Sequence, residues 1–502
     1  MNKNIWQKID IRVAAVGLSL LASCFSAFRI NIPNDDAYAY VRTAEIFLSD
    51  GVNAAMQNYA WVGYSLLIAL VSQLGLDLFL AAYLINALFY SLLVYSFISI
   101  VKLLKASKSV TLLAAICVLL YPPLNEFRYE IVRDIAVWAL ALFALWHFLL
   151  FNKSHQLQNL FFFSVSLLFA SCFRPETAIY LFSVPFALLF NNHYSKKERY
   201  KQLLLSLGIN LGLIGLLILA FAIKGLNIFV LLSDFVSVYD PFISNNLNPN
   251  AINTSAISTE IFGEHAASYS EPYLALFLTS GLFAILIVKL FEGIGGPFFW
   301  VLLYGSFKRL IKVERNILIP VLFFLLTNIL IVLGFILVTR YVSTRYSMLF
   351  CLLLALFVPL ILDYVTSALE NSAYRNVGMR VLILFFGYCA FDSFISFGIS
   401  KDFVLDSVDW VITESDIDTR LLTNNQTIAY NSGKIENYDQ IGRFLSEQEI
   451  INANSNDFIA IEMHYEMTEL VEKETIKPLL KFRAAFPSIE EQRIVIYQRI
   501  AR

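Results

Sequence analysis

Long apolar runs follow one another from residue 11 to about residue 398, and only short polar segments separate them. Hydrophobic residues make up 58% of the chain and charged residues 15%. No single globular core could bury this much apolar surface, whereas lipid can solvate it, so the pattern predicts a polytopic membrane protein. The net charge of -2 is spread over loops and tail without a basic stripe, which argues against nucleic acid as a partner.

Hydropathy predicts eleven membrane crossings. Their expected bounds are 11–29, 78–101, 110–122, 135–151, 159–173, 177–190, 203–223, about 284–303, 317–338, 346–362 and 380–398. Several are shorter than the roughly 20 residues that a perpendicular helix needs, so we expect their ends to extend into the flanking loops. Residues 1–398 are thus predicted to form an all-α transmembrane domain.

Basic residues set the orientation of these spans. Lysines and arginines gather on one side under this assignment: Lys3, Lys8, Arg12, Lys102, Lys105, Lys108, Lys153, Lys196, Lys197, Arg199, Lys201, Lys308, Arg309, Lys312, Arg315, Arg375 and Arg380. The positive-inside rule makes that side cytoplasmic, together with the N-terminus. Loops 30–77 and 224–283 and the C-terminus then lie outside. If residues 63–75 crossed the membrane, the next basic loop, Lys102 to Lys108, would lie outside. That segment is therefore expected to lie in the membrane interface.

The composition becomes polar from residue 399 to residue 502. Strands are predicted over 421–430, 457–462 and 493–497, and helices over 438–449 and 467–481. This predicts a small α/β domain outside the membrane.

An acidic pair, Asp35 and Asp36, opens the first outer loop, directly after Pro33 and Asn34 end the first span. Asp35 is a suitable N-cap for an amphipathic helix lying on the membrane surface, so the pair could simply cap that helix and complement its dipole. Two carboxylates at a bilayer surface are otherwise costly to desolvate. They are therefore also candidates for a functional site.

Further charged residues fall on the same predicted face, at the mouths of later spans: Arg133, Asp134, Arg174, Glu176, Arg340 and Arg345. Each has a plainer explanation, because arginines snorkel at helix ends. Together they suit one chemistry. Arginines bind the oxygens of a phosphate leaving group in fork geometry, while a carboxylate takes the proton from an acceptor hydroxyl.

In their order along the chain, these pieces resemble the GT-C superfamily of membrane glycosyltransferases. The likeness is to the bacterial branch related to dolichyl-phosphate-mannose protein mannosyltransferases and lipid A aminoarabinose transferases. The matching segments are Asp35-Asp36-Ala37-Tyr38 with a helix over 44–51, Trp61-Val62-Gly63-Tyr64, Arg133-Asp134, Phe173-Arg174-Pro175-Glu176 and Arg345-Tyr346. The resemblance implies many helices, a horizontal helix in the first outer loop, a polyprenyl-phosphate sugar as donor, and inversion at the anomeric carbon.

The resemblance also implies residue roles. Asp35 matches the base, with Asp36 and Asp134 in support, and Arg345 matches a donor-phosphate contact, which Arg340 or Arg174 would assist. Residues assigned to acceptor contact or support are Glu176, Arg133, Tyr38 and Tyr64. Some relatives use a divalent ion, which Asp35 and Asp134 would hold through oxygen atoms. No outer cluster of His or Cys indicates zinc, and all five cysteines fall inside apolar runs.

Two alternatives stay open. A transporter or flippase for a lipid-linked sugar would place polar sites near the bilayer midplane, whereas these charges fall at one surface. In an O-antigen-type polymerase or ligase, the acidic pair would have no evident role. We therefore expect a glycosyltransferase in a bacterial cytoplasmic membrane that moves a sugar to an envelope lipid, glycan or protein.

Overall fold

The computed structural model describes residues 10–29, 32–223, 254–370, 372–395, 401–416 and 419–500, with four isolated positions between 224 and 253. Most of the first half of the loop predicted over 224–283 therefore lies outside the described residues. The chain divides into two compact units. The first holds Met1–Cys24, Leu84–Arg128 and Arg133–Ile395, and the second holds Phe25–Tyr83, Tyr129–Val132 and Ser396–Arg502. The second unit thus combines the first predicted outer loop with the C-terminal tail.

Helices account for most of the chain before residue 224. They are α1 (Ile11–Arg29), α2 (Asp35–Asp50), α3 (Val52–Asn58), α4 (Gly63–Ser72), α5 (Leu78–Leu104), α6 (Lys108–Leu119), α7 (Pro122–Glu126), α8 (Asp134–Ser154), α9 (Leu157–Ser171), α10 (Ile179–Ser183) and α11 (Lys196–Ile223). Short 3₁₀ turns at Pro175–Ala178 and Val184–Phe190 flank α10.

The helical pattern resumes after residue 253. These helices are α12 (Thr254–Phe262), α13 (Glu264–Ser270), α14 (Leu274–Ile294), α15 (Gly296–Phe307), α16 (Arg315–Thr339), α17 (Thr344–Ala355), α18 (Val358–Glu370) and α19 (Arg375–Phe394). Eight stretches of the described chain are long and apolar enough to cross a membrane, or nine if the bent pair Lys108–Leu119 and Pro122–Tyr129 is one span. The chain is a multi-pass membrane protein, as its composition predicts.

The count differs from the eleven predicted crossings at identifiable places. The predicted spans 159–173 and 177–190 correspond to α9, which has 15 residues, and to the short helical pieces around α10. The predicted span 284–303 is two helices, α14 and α15, which meet at Gly295, where φ is +73°. Hydropathy averages over such breaks because the residues on either side are equally apolar. The 10-residue α4 is too short to cross, which agrees with its predicted interfacial position.

Arg128, which follows α7, is a buried tie within the first unit. Its side chain is only 4% exposed and lies over the ring of Tyr90, with 4.0 Å between Cζ and the ring centroid. Its guanidinium donates to the hydroxyls of Ser23 (2.6 Å) and Ser19 (3.1 Å) on α1 and to the side-chain oxygen of Asn125 (2.8 Å). This charge, in the segment between α7 and α8, therefore has a structural task.

The C-terminal tail adds a four-stranded sheet to the second unit. The strands are β1 (Leu421–Thr423), β2 (Phe458–Glu462), β3 (Leu480–Pro487) and β4 (Gln492–Arg499), in the order β1-β2-β4-β3. β1 and β2 are parallel and the other pairs antiparallel. Helices α20 (Asp402–Glu414), α21 (Gln426–Asn431), α22 (Glu447–Asn452) and α23 (Tyr465–Glu472) complete the domain.

Cores on both faces of this sheet explain why β2 is apolar without alternation. Phe458 and Ala460 pack with residues of α20, while Ile459 and Ile461 pack with residues of α23. A strand that is covered on both sides buries every side chain. The predicted α/β domain is thus confirmed, with strands at β2 and β4 as expected.

Three predictions within the tail are wrong in detail. The strand expected over 421–430 stops at Thr423, because Asn425 caps α21 by accepting from the backbone N–H of Ile428 at 3.0 Å. The helix expected over 438–449 is a 3₁₀ turn at Tyr438–Gln440 followed by α22. The helix expected over 467–481 ends at Glu472, and β3 begins at Leu480.

We expect Arg128→Met to lower the free energy of unfolding by about 3 kcal/mol, since a charged donor to three buried side chains is lost. Thermal denaturation in detergent measures this change. Arg315→Met, at an exposed arginine that begins α16, is the matched control and should leave stability nearly unchanged. Equal effects of the two substitutions would contradict the role given to Arg128.

Candidate active site

A cavity lies among α8, the turn after α9, α10, α16 and α17 in the first unit. Four of the predicted site residues line it: Asp134, Arg174, Glu176 and Arg345. These side chains come from three separate segments of the chain. The fold therefore brings together charges that the sequence places up to about 200 positions apart.

Arg174 occupies its place because the local sequence ends a helix there. The backbone of Arg174 is extended (φ −143°, ψ 102°), as expected for a residue before proline, and Pro175 starts a 3₁₀ turn that needs no N–H at its first position. The Nε of Arg174 donates to Oδ1 of Asp134 at 2.6 Å, and its Nη1 donates to Oε1 of Glu176 at 3.1 Å. One arginine thus bridges two carboxylates.

This ion-paired group is almost fully buried. Asp134, the first residue of α8, is 2% exposed, and Arg174 is 8% exposed. The Oδ2 atom of Asp134 is buried and makes no hydrogen bond to another described residue. Because Asp134 lines the cavity, that carboxylate oxygen is a candidate contact for a bound molecule.

Arg345 and Tyr346 form the opposite side of the charged end, at the start of α17. The guanidinium of Arg174 lies over the Tyr346 ring, with 4.4 Å between Cζ and the centroid. Both Arg345 and Arg133 act electrostatically on Asp134. Arg174 is shared by the two carboxylates, and Arg345 adds a second guanidinium to the lining, so this end of the cavity presents guanidinium donors to an anion.

The other walls of the cavity are apolar. The apolar part is built by one face of α16, with Ile331, Val332 and Phe335, together with Trp138 of α8, and Asn328 is a polar exception on the same face of α16. The cavity therefore has a charged end and an apolar body, which suits an amphiphile with an anionic head.

Asn328 and Tyr180 are cavity residues that the sequence analysis missed. The side-chain nitrogen of Asn328 donates to the Tyr180 hydroxyl at 2.8 Å. An amide in the middle of the 25-residue apolar helix α16 was the available signal. Its position relative to the arginines could not be predicted, because it depends on how α10 packs against α16.

The acidic pair lies in the second unit, where α2 begins at Asp35. The prediction that Asp35 is the N-cap is wrong by one residue, because Asn34 occupies that position. The side chain of Asn34 bonds the backbone of Ile131 in both directions, donating to its carbonyl at 3.2 Å and accepting from its N–H at 2.7 Å. The start of α2 is therefore fixed by this amide rather than by a capping carboxylate.

The surroundings of Asp35 alter its acidity. Asp35 is exposed, yet neighbouring atoms displace part of the water around its carboxyl group and raise its pKa above the ordinary value of 3.8. Lys401 and Arg443 act against this shift, while Glu462 and Asp36 reinforce it. Three of these four charges belong to the C-terminal tail.

The two tyrosines predicted to support the site are interior residues of the second unit. Tyr38 and Tyr64 are both fully buried. The Tyr38 hydroxyl donates to Oγ1 of Thr427 at 3.0 Å, and the Tyr64 ring packs edge-on against Tyr40 with centroids 5.0 Å apart. Their contacts are with protein side chains.

The arginines predicted to bind phosphate occupy different positions. Arg345 and Arg174 line the cavity, whereas Arg340 is exposed at the end of α16 and is not a lining residue. Arg133 is 5% exposed and precedes α8. Asp35, Asp36, Tyr38 and Tyr64 belong to the second unit.

The arrangement of possible ligands does not match the divalent ion that some relatives use and that Asp35 and Asp134 would hold. Across the described parts of the chain, no three side chains of His, Cys, Asp or Glu lie together as the ligands of an ion would. The arginine that bridges Asp134 and Glu176 fills the space between those carboxylates. The residues present thus do not form a ligand set for a divalent ion.

A second cavity lies at the other end of α8. Its walls include the buried amides Asn152, Asn191 and Asn316. These amides bond each other and the backbone, for example Asn152 to the carbonyl of Asn316 at 2.7 Å and Asn191 to the Asn152 side chain at 2.9 Å. The network joins neighbouring loops, and these hydrogen bonds give the amides a structural role.

No protein-family model and no curated protein matches this chain. Solved structures do match. The oligosaccharyltransferase of Archaeoglobus fulgidus, in complex with zinc and sulfate, aligns at 12% identity with a TM-score of 0.54, covering 98% of this chain and 73% of that one. AglB from the same organism, with an inhibitory peptide and a dolichol-phosphate, aligns at 13% identity with a TM-score of 0.55, covering 96% and 73%.

ArnT from Cupriavidus metallidurans, in the apo state, aligns at 12% identity with a TM-score of 0.51, covering 97% of each chain. These proteins are an oligosaccharyltransferase and an aminoarabinose transferase, and both have the GT-C architecture. At such low identities the likeness is one of fold. The chain therefore has the fold of the GT-C membrane glycosyltransferases, as its sequence motifs predict.

Proposed function

We propose that this protein is a glycosyltransferase that moves a sugar from a polyprenyl-phosphate donor to a hydroxyl of an envelope lipid, glycan or protein. The observation that carries the proposal is the cavity with Arg174, Arg345 and two carboxylates at one end and a mostly apolar body. A lipid phosphate has the same division into an anionic head and an apolar chain.

Arg345 is the proposed phosphate ligand. Two donor nitrogens of Arg174 already bond Asp134 and Glu176, so Arg174 chiefly holds those carboxylates in place. Arg345 faces the same cavity and adds the positive charge that an incoming phosphate neutralises. Apolar side chains of α16, such as Ile331 and Phe335, would pack against the first isoprenoid units.

Asp35 is the proposed base. The acceptor hydroxyl oxygen attacks the anomeric carbon and its proton passes to the Asp35 carboxylate. The bond from the anomeric carbon to the phosphate oxygen breaks, and the polyprenyl phosphate leaves with the electron pair. A phosphate monoester is a weak base, so its departure needs no general acid. Asp36 supports Asp35, and Asp134 contacts the bound substrates through Oδ2.

AglB was solved with dolichol-phosphate, which gives a precedent for a polyprenyl phosphate in this fold. The proposed setting is a bacterial cytoplasmic membrane with the acidic pair and the C-terminal domain outside. Transport of the lipid-linked sugar would need no base, and a polymerase or ligase would use a pyrophosphate-linked oligosaccharide. Loss of transfer on replacement of Asp35 therefore argues against transport, and a monosaccharide donor on a single phosphate argues against a polymerase or ligase.

We expect Asp35→Asn to abolish transfer while the protein remains folded in membranes, because an amide cannot accept the hydroxyl proton. A deletion strain should lack one hexose or pentose on one class of envelope molecule, detected by mass spectrometry. Wild-type protein should restore this mass and Asp35→Asn should not. Asp50→Asn, at the exposed end of the same helix, is the matched control and should restore it. Restoration by Asp35→Asn would remove Asp35 from the mechanism.

We expect Arg345→Gln to weaken binding of undecaprenyl phosphate by about 10- to 100-fold, the loss of a charge-assisted hydrogen bond. Native mass spectrometry of the purified protein in detergent measures the dissociation constant. Arg340→Gln tests the nearby arginine outside the cavity and should change binding by less than about twofold. A larger effect at Arg340 would reverse the assignment of the phosphate ligand.

We expect the transfer rate to fall as pH decreases through the raised pKa of Asp35, because the protonated carboxyl cannot act as a base. Glu462→Gln removes a nearby negative charge, favours the ionised form and should move the acid limb to lower pH. Lys401→Met removes a positive charge and should move it to higher pH. Rates measured in membrane preparations at a series of pH values check both shifts, and identical profiles would contradict this environment of Asp35.

A further inference from the structure

The C-terminal domain holds α2, the helix that carries the acidic pair, through a buried hydrogen bond. The Tyr38 hydroxyl donates to Oγ1 of Thr427 at 3.0 Å, although the residues are 389 positions apart. Tyr38 is fully buried and Thr427 is 4% exposed. A buried polar pair of this kind is costly to separate, because each hydroxyl would be left without its partner.

A second bond holds the same stripe of α2 two turns later. The Tyr438 hydroxyl donates to Oε2 of Glu45 at 2.9 Å. Tyr38 and Glu45 are seven residues apart, so they lie on one face of the helix. Beyond α2, the side chain of Asn58 donates to Oδ2 of Asp439 at 2.9 Å. Arg42 of α2 adds a salt bridge to Glu436 at 3.4 Å, so several polar contacts join the C-terminal domain to the first loop.

Aromatic packing closes the space between these bonds. The rings of Phe79, Tyr430 and Tyr438 surround Tyr38 with centroids 5.6, 5.6 and 6.2 Å from its own. Such edge-to-face contacts fix ring orientation as well as distance. Rotation of α2 about its axis would break the cluster and both hydroxyl bonds together.

One helix of the C-terminal domain, α21, bonds Tyr38 and also bonds a residue near Asp35. Helix α21 carries Thr427, and its cap residue Asn425 donates to Oε2 of Glu462 at 2.7 Å. Glu462 is one of the charges that act on Asp35. Asp35 lies three residues before Tyr38, on the adjacent side of α2, so a fixed Tyr38 also fixes the direction of Asp35.

We infer that the C-terminal domain is a positioning element of the acidic pair, with Thr427 and Tyr438 holding the Tyr38–Glu45 face of α2 so that Asp35 points in one direction. The effect on transfer rests on the proposed function, whereas the hold on α2 does not. This gives the tail a task that its sequence does not reveal.

Hydrogen–deuterium exchange of the full-length protein in detergent tests the hold directly. In Thr427→Val, which has nearly the same shape but lacks the hydroxyl, the amides of Asp35–Asp50 should exchange roughly three- to tenfold faster than in wild type. Thr427→Ser keeps the hydroxyl and should restore slow exchange. Tyr497→Phe changes a half-buried tyrosine in the other core of the same domain and should leave α2 unaffected. Unchanged exchange of α2 in Thr427→Val overturns the inference.

Transfer measured by the envelope assay, normalised to protein level, tests the positioning role. Thr427→Val should lower transfer about tenfold while binding of undecaprenyl phosphate stays at the wild-type level, since the phosphate ligand belongs to the first unit. Thr427→Ser should recover transfer. Faster exchange of α2 with unchanged transfer would overturn the positioning role. Retained transfer in Asp35→Asn is a different result and would overturn the proposed function, leaving the hold on α2 intact.

Discussion

The ion pair between Asp134 and Arg174 is the interaction on which the proposed active site depends. Charges buried beside apolar helices lose their hydration, and the loss is tolerable only when each charge has a partner at short range. Arg174 supplies that partner to Asp134 and to Glu176 at once. Such a pair gives little net stability compared with apolar packing, so its presence at a cavity wall is better explained by function than by folding.

The charged end of the cavity connects this pair to the proposed ligand. Both carboxylates bond Arg174, and Arg345 lines the same end beside Tyr346. In the proposal, an amphiphile places its anionic group at Arg345 while its chain packs along α16. The same arrangement would discriminate against a neutral lipid, because desolvating the arginines without an anion is unfavourable.

In the second unit, the polar C-terminal domain packs against α2. Its sheet is stabilised by two hydrophobic cores of its own, yet its aromatic and hydroxyl side chains also pack against α2. The cluster of Tyr38, Ala429 and Tyr438 is fully or almost fully buried, so the contact is part of the interior and not a surface encounter. The C-terminal domain is thus bound to the first predicted outer loop, residues 30–77, which carries the acidic pair.

The sequence by itself determined the membrane class, the helical architecture, the start of α2 and the identity of most charged candidates, because hydropathy and helix-capping act over a few residues. It failed where a side chain's meaning depends on distant partners. Arg128 has the same local pattern as Arg174, yet one is a structural tie to Ser19 and Ser23 and the other lines a cavity. Only the tertiary structure decided between them, and only it paired Tyr38 with Thr427 and Asn328 with Tyr180, since hydrogen bonds between remote segments are set by packing and leave no periodic trace in the chain.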